Sequence, residues 1–175
     1  MTRWAPVDAS ESAGLPDWEG HGGLPVGDYR PCRTAFEERF VNDPASSSRR
    51  AIYAGWNAHR DDLRRAGCND ESECLLNGSF TTSKQDPEDL DLVIGVPIEA
   101  TTPADAIVPL LALLQGPDMR ARYHCDAYPL FLLPEDHPDH ANVTRKGIAY
   151  WLRWFGRDRE GREKGRVWTR LAGLR

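Results

Sequence analysis

Two aspartates separated by one residue, Asp89 and Asp91, stand at the start of an apolar run that ends at Val96. Alternate residues of a β-strand project from the same face, so both carboxylates would point the same way. Asp126 lies on the polar side of a second alternating stretch. Three convergent carboxylates repel and raise one another's pKa values unless cations neutralise them. Their hard oxygen atoms suit Mg²⁺ or Mn²⁺.

The residues before this strand supply groups that bind phosphate. Gly78 lets the backbone approach a phosphate closely, and the Ser79 hydroxyl and the following N–H groups can donate to phosphate oxygens. Ser83 and Lys84 lie in the same polar loop and are further candidates, with Lys84 as a point charge. Because Mg²⁺ takes phosphate oxygens as ligands, we expect a phosphate ester, with a triphosphate between the loop and a pair of metal ions.

Some of these residues have alternative interpretations. Asp89 could belong to a turn formed by Asp-Pro-Glu-Asp, although a turn does not explain Asp91 inside the strand. Asp118 or Asp136 could replace Asp126 as the third ligand if the strand boundary differs. The two histidines within residues 137–140 lack a third ligand at a suitable spacing, and we expect them to be solvated.

Hydrophobic periodicity predicts the elements that position these groups. Ile52, Trp56 and Leu63 recur at helical spacing, and Gly67 stops the helix. A last helix repeats apolar residues in the same way and places Trp151 in the core. The predicted helices are 47–66, one that begins at Thr102, and one that carries Ile148 and Phe155; the predicted strands are 73–76, 90–96 and 120–133.

The two ends of the chain differ from this middle part. Residues 1–45 are rich in glycine and proline and are predicted to form an arm or lid, with a short helix over 35–40 opened by a capping box of Thr34 and Glu37. Residues 46–175 are predicted to form the globular domain. Within it, 166–171 is expected to form an edge strand or part of a turn-rich basic hairpin.

Composition limits the class of protein. A chain of 175 residues with 40% apolar and 28% charged residues is typical of one globular domain. It has no apolar run of membrane-spanning length and no signal-peptide pattern near its first residue, so we expect a cytoplasmic protein without membrane contact. The four cysteines contain no CxxC pair, which favours buried thiols over disulfides or a zinc site.

Basic residues are concentrated at the C-terminal end. Residues 153–175 contain eight basic and three acidic residues, although the whole chain has a net charge of −5. This basic strip has two interpretations, a solvated surface or a contact with a polyanion such as RNA. Trp154 and Trp168 are open candidates for stacking on bases.

Gly-Ser, nine intervening residues and Asp-Leu-Asp-Leu-Val, over 78–93, resemble the signature of the nucleotidyltransferase superfamily typified by DNA polymerase beta and the small bacterial minimal nucleotidyltransferases. The resemblance covers about residues 50–133, and the flanking segments resemble a small bacterial branch of unassigned function. It implies an α+β fold with a small mixed sheet, helices packed on one face, an N-terminal arm and a basic C-terminal hairpin or strand.

The resemblance also implies an activity and the residues that perform it. Asp89, Asp91 and Asp126 would be catalytic metal ligands, with Asp126 also activating the acceptor hydroxyl, while Gly78 and Ser79 would bind the nucleotide phosphates. The reaction would transfer a nucleoside monophosphate from an NTP such as ATP to a hydroxyl of an RNA 3′ end, a protein or a small molecule, with release of pyrophosphate. The alternative is a regulatory, nucleotide-binding partner without turnover in a toxin–antitoxin or phage-defence pair, which implies a protein partner.

Overall fold

The computed structural model describes residues 4–6, 11–12, 14–99, 102, 104–115 and 118–174. The described part of the chain is a mixed α+β structure. Its strands are β1 (Glu11–Ser12), β2 (Asp28–Pro31), β3 (Glu73–Asn77), β4 (Leu90–Pro97), β5 (Cys125–Leu132) and β6 (Arg166–Arg170). Its helices are α1 (Arg33–Phe40), α2 (Arg49–Arg65), α3 (Ala104–Ala112), α4 (Met119–Tyr123) and α5 (Lys146–Phe155), with a 3₁₀ turn at Ser79–Thr81 and a π-helical turn at Ala141–Arg145.

Five strands form one mixed sheet in the order β2-β6-β3-β4-β5, and the two-residue β1 extends it beside β2. β3 is antiparallel to both β4 and β6, whereas β4 is parallel to β5 and β2 is parallel to β6. β6 is therefore a central strand, and the prediction of an edge strand is wrong. Its residues Val167, Trp168 and Thr169 are all buried, which agrees with a strand flanked on both sides.

Both faces of the sheet are covered. On one face, α1 and α2 bury Phe36 and Trp56 against strand residues that include Leu76 and Leu92. On the other, Phe155 of α5 packs with a second set of strand residues that alternates with the first, as the period of two requires: Leu75, Val93, Leu130 and Trp168. The prediction that helices pack on one face is corrected, because the apolar stripe of α5 covers the opposite face.

The N-terminal part of the chain contributes to this core. β2 pairs with β6, and Phe36 and Phe40 of α1 are fully buried. Residues 28–40 thus lie in the sheet and core, where the sequence predicted an arm. The predicted capping box is wrong as well: α1 begins at Arg33 without a side-chain cap, and Glu37 accepts a hydrogen bond from the Tyr53 hydroxyl at 2.8 Å.

The third predicted strand, 120–133, is a helix followed by a strand. Met119 and Tyr123 are both buried four residues apart, as on one face of a helix, and His124 takes a left-handed conformation with φ of 53° that ends α4. β5 then begins at Cys125. Apolar and polar residues alternate over 121–127, which predicted a strand. Over so few residues, the two-residue period of a strand cannot be distinguished from the 3.6-residue period of a helix.

The predictions for α2, β3, β4 and the cysteines are confirmed. α2 buries Ile52, Trp56, His59 and Leu63 on one face, and β3 and β4 lie within one residue of their predicted ends. All four cysteines are free thiols, and three of them are buried. No helix among the described residues is long and apolar enough to cross a membrane.

Candidate active site

The carboxylates predicted from the sequence meet at one end of β4 and β5. Asp91 of β4 lies directly opposite Asp126 of β5 in the parallel ladder, and Asp89 precedes Asp91 by two residues and so shares its face. The side chain of Asp89 is 11% exposed and that of Asp126 is 31% exposed. The structure thus brings together all three aspartates, and Asp126 rather than Asp118 or Asp136 joins the pair.

Arg120 of α4 supplies a positive charge to this cluster. Its Nη2 donates to Asp126 Oδ2 at 2.8 Å and also contacts Asp89 Oδ2. The Arg120 side chain is itself 56% exposed, so it covers the carboxylates from the solvent side. A single residue, His124, connects α4 to β5, and this short connection brings the Arg120 side chain into contact with Asp126.

The carboxylate at the centre of the cluster is hard to ionise. Burial, followed by the charges of Asp89 and Asp126, raises the pKa of Asp91 from 3.8 to about 6. Burial also raises the pKa of Asp89, and the opposing charge of Arg120 reduces that shift. The positive charge of Arg120 therefore does not fully offset the repulsion among the three carboxylates and the cost of desolvating them.

Lys164 provides a second cation beside Asp91 and the Gly78 turn. It is buried, and its Nζ donates to the Gly78 carbonyl at 3.4 Å. Burial lowers the pKa of Lys164 from 10.5 to about 8, while the negative charge of Asp91 acts in the opposite direction. This ammonium group lies beside the Gly78 turn and interacts with the charge of Asp91, so it is placed to contact an anion bound there.

The Gly-Ser turn lies directly against the carboxylates. Asn77, the last residue of β3, is opposite Asp91 in the antiparallel ladder, and Gly78 follows with φ of 76°. A Cβ atom at Gly78 would lie 2.0 Å from Asp91 Oδ2, so only glycine permits this approach. Asn77 fixes the turn, because its Oδ1 accepts the Gly78 N–H at 2.7 Å and its amide donates to the Phe155 carbonyl.

A buried arginine holds the loop that follows. Arg49 of α2 is almost fully buried, and its guanidinium donates to the carbonyl groups of four residues at 2.6 to 2.9 Å: Phe40, Phe80, Thr82 and Lys84. This network fixes the backbone of residues 80–84 beside the site. Arg49 was not predicted from the sequence as a residue that shapes the site.

The other two predicted phosphate contacts lie further along this loop. Ser83 and Lys84 are exposed, and the Ser83 N–H donates to the Gly22 carbonyl at 2.8 Å. The cations with the largest effects on the pKa values of Asp89 and Asp91 are Arg120, Lys164 and Arg159, and Lys84 is not among them. The roles of Ser83 and Lys84 in phosphate binding stay predictions.

Sequence reasoning missed Arg120, Lys164 and Asn77. The alternating pattern places Arg120 in a predicted strand, and Lys164 lies within the basic strip. Asn77 adjoins the Gly-Ser pair at the end of a strand, and this position is the one feature of the sequence that could have indicated its role in the turn. No spacing rule connects Arg120 to Asp89 or Lys164 to Asp91, because the fold of the sheet brings these distant residues together.

Most of the basic strip is not a free cationic surface. Arg166 forms a two-point ion pair with Asp28, and Arg170 contacts Glu71 at 3.0 Å. Arg162 pairs with Asp158 at 2.6 Å, and Arg157 pairs with Glu163 at 3.1 Å. Lys164 is buried in the site, so Arg153 and Arg159 are the described basic residues of the strip that stay exposed without an ion pair, and the contact with RNA stays a prediction.

The oxygen atoms of Asp89, Asp91 and Asp126 are suitable ligands for a divalent cation, although the Arg120 side chain contacts two of these carboxylates. In the described part of the chain, no group of three His, Cys, Asp or Glu side chains is arranged to hold a metal ion as it stands. Arg120 draws two of the three carboxylates toward itself. The carboxylate oxygens are nevertheless the ligands that Mg²⁺ and Mn²⁺ prefer, and the raised pKa of Asp91 shows that added positive charge would stabilise the cluster.

Comparison with known proteins identifies a family without a known function. A family of unknown function, DUF6932, matches residues 16–169, which include every site residue described above. No curated protein and no solved structure matches the chain. The resemblance to nucleotidyltransferases therefore stays a prediction. On the extent of the family match, the chain belongs to DUF6932.

Proposed function

We propose that the protein is a metal-dependent nucleotidyltransferase that transfers a nucleoside monophosphate from an NTP to a hydroxyl group and releases pyrophosphate. One observation carries the proposal: the Gly78 turn touches Asp91, which is paired in register with Asp126. A phosphate-binding turn in contact with a cluster of carboxylates is the arrangement that this chemistry requires. The signature over residues 78–93 supports the same assignment.

The chain's own residues would perform distinct tasks. Asp89, Asp91 and Asp126 would hold Mg²⁺ or Mn²⁺, which when bound supplies Lewis-acid stabilisation of charge on the phosphate. Asp126 is the most accessible of the carboxylates that pair with Arg120, so it is the best placed to accept the proton of an incoming hydroxyl. Asp91 is half-buried against the Gly78 turn, so it would hold the metal ion next to the groups that bind phosphate.

The nucleotide phosphates would lie against the Gly-Ser turn. Gly78 presents backbone without a side chain, and Ser79 offers a hydroxyl group that makes no hydrogen bond within the described residues. The Lys164 ammonium group lies beside the same turn and would neutralise part of the phosphate charge. Catalysis of this kind depends mainly on positioning and electrostatics, so few further groups are needed.

A transfer assay tests this function. The protein would be incubated with each NTP labelled on its α-phosphate, with Mg²⁺ or Mn²⁺ and a cell extract, and labelled RNA, protein and small molecules would then be separated. Label in one fraction that requires the metal and is lost in Asp89→Asn/Asp91→Asn supports the proposal and identifies the acceptor class. Label in no fraction, or label that persists in the variant, contradicts it.

Arg120 favours a second candidate function. Its guanidinium contacts Asp89 and Asp126, where a catalytic metal ion would have to bind. A protein that keeps its own cation there would bind a nucleotide without turnover and would act as a regulatory partner of another protein. Metal-independent NTP binding without transfer to any fraction would favour this candidate over the enzyme.

A further inference from the structure

The outer face of α5 carries two exposed aromatic rings. Trp154 is 65% exposed and Tyr150 is 54% exposed, which makes them outliers among the large apolar side chains. Their rings are nearly parallel, with an angle of 11° between the planes and 6.1 Å between the centroids. Trp151, the residue after Tyr150, packs against Tyr128 and Phe155 on the sheet side and meets the Tyr150 ring edge-on, with 4.9 Å between the centroids. α5 thus has a core face and a separate aromatic outer face.

Basic residues lie on the same helix as these rings and in the turn before it. Arg145, Lys146 and Arg153 are exposed, and none of them forms an ion pair with any described residue. The sequence contains no acidic residue between Asp139 and Asp158. This distribution contrasts with the net charge of −5 for the whole chain, so the positive charge here is local. We call Arg145, Lys146, Tyr150, Arg153 and Trp154 the α5 surface.

We propose that the α5 surface binds single-stranded nucleic acid. Exposed aromatic rings stack on bases, and unpaired cations beside them neutralise the phosphates, which is the combination that single strands require. The stretch from Lys146 to Trp154 rises by about 12 Å along the helix axis. That length matches about three stacked nucleotides at about 3.4 Å each.

A protein partner fits this face less well. The cores of protein interfaces are depleted in charged residues, whereas here exposed Lys146 and Arg153 lie on the same helix as the two rings, at helical spacing from Tyr150. The inference goes beyond the proposed function, because binding at this face needs neither a metal ion nor an NTP. The face is also linked to the site, since the carbonyl of Phe155 at the end of α5 accepts a hydrogen bond from Asn77.

Fluorescence anisotropy of labelled single-stranded RNA and DNA of about 12 nucleotides tests the proposal. The full chain should bind both at low salt, and Trp154→Ala should weaken binding by about 5- to 150-fold through the loss of one stacked base. Trp154→Phe should recover part of that loss, because a ring is retained. Each of these variants changes an exposed side chain, and thermal melts would verify that the fold is intact.

A matched pair of charge variants tests the phosphate contacts. Arg153→Gln should lower the slope of log K against log salt concentration by about 0.7, the value for one phosphate contact with a single strand. Arg50→Gln removes an equally exposed cation from α2 and should leave the slope unchanged. An equal effect of both variants would overturn the proposal, since it would indicate attraction to net charge alone.

Three further results would also overturn it: no binding at low salt, binding unaffected by Trp154→Ala, or a dimer that Trp154→Ala converts to a monomer in light scattering. The last would identify the face as a contact between copies of this chain. Failure of the proposed function is distinguishable, because Asp89→Asn/Asp91→Asn should still bind oligonucleotide. Absence of nucleotide transfer together with normal oligonucleotide binding refutes the enzyme and retains the α5 surface.

Discussion

Replacing Asp91 by asparagine should stabilise the metal-free protein at neutral pH. Asp91 is a half-buried carboxylate whose ionised form is opposed first by desolvation and then by the charges of Asp89 and Asp126. No described residue forms a side-chain hydrogen bond or an ion pair with it. Asparagine has nearly the same shape and no charge, so the substitution removes the repulsion and leaves the packing against Gly78 in place.

The size of the effect follows from the pKa of Asp91, which folding raises from 3.8 to about 6. One pKa unit corresponds to about 1.4 kcal/mol, so the ionised carboxylate costs the folded state about 3 kcal/mol. Because the folded protein holds this proton more tightly than the unfolded chain, the stability associated with Asp91 is highest below the unfolded pKa. It falls as the pH rises through about 6. The gain from asparagine is therefore absent near ~pH 4 and complete above ~pH 7.

Thermal melts in the presence of a chelator measure this gain. For a chain of this length, about 3 kcal/mol corresponds to a rise in Tm of about 6 to 12 °C at ~pH 7.5. The matched control is Asp61→Asn, which removes an exposed carboxylate on α2 that lies 3.7 Å from Arg64 and should raise Tm at neither pH. If Asp91→Asn melts at or below the parent at ~pH 7.5, or gains equally at both pH values, the reasoning about the carboxylate cluster is wrong.

The remaining predictions concern ligand binding. Asp89→Asn/Asp91→Asn should abolish the rise in Tm that Mn²⁺ with an NTP gives the parent; an equal rise in both proteins would place the metal elsewhere. Ser79→Ala should weaken NTP binding by about 2- to 12-fold in calorimetry, the value of one hydrogen bond, and an unchanged affinity would remove Ser79 from the phosphate site. Arg120→Gln should tighten Mn²⁺ binding by up to about fivefold, because a competing and partly exposed cation is lost; weaker binding would refute the competition. Mn²⁺ should begin to raise Tm near the Asp91 pKa of about 6, and Lys164→Met should move this onset to higher pH because the Lys164 charge lowers that pKa. An onset at the same pH would exclude coupling between the two groups.

The carboxylate triad was predictable because it depends on local rules. Asp89 and Asp91 share a face through the two-residue period of a strand, and Asp126 needed a second strand beside the first. The prediction for Asp126 did not depend on where the strand begins. The residues wrongly predicted as strand, 120–124, all precede it. Gly78 was predictable for a similar reason, because a glycine between a strand and a polar loop is typical of a close backbone approach.

The cations of the site were not predictable from spacing. Arg120 reaches the carboxylates through a short helix that the alternating pattern hid, and Lys164 reaches them because β6 inserts beside β3 in the centre of the sheet. Strand order is a tertiary property that periodicity does not report. The same central position explains one ion pair of the basic strip, because it places Arg166 opposite Asp28 of the adjacent strand β2.

Binding of Mn²⁺, followed by electron paramagnetic resonance in the presence of a non-hydrolysable NTP analogue, tests the central claim most directly. The parent protein should bind Mn²⁺ stoichiometrically and more tightly with the analogue than without it, because phosphate oxygens complete the metal's coordination. Asp89→Asn/Asp91→Asn should lose this binding, and Asp61→Asn should retain it. Free Mn²⁺ in the parent sample, or a signal that is the same in all three proteins, would contradict the assignment of Asp89, Asp91 and Asp126 as a metal and nucleotide site.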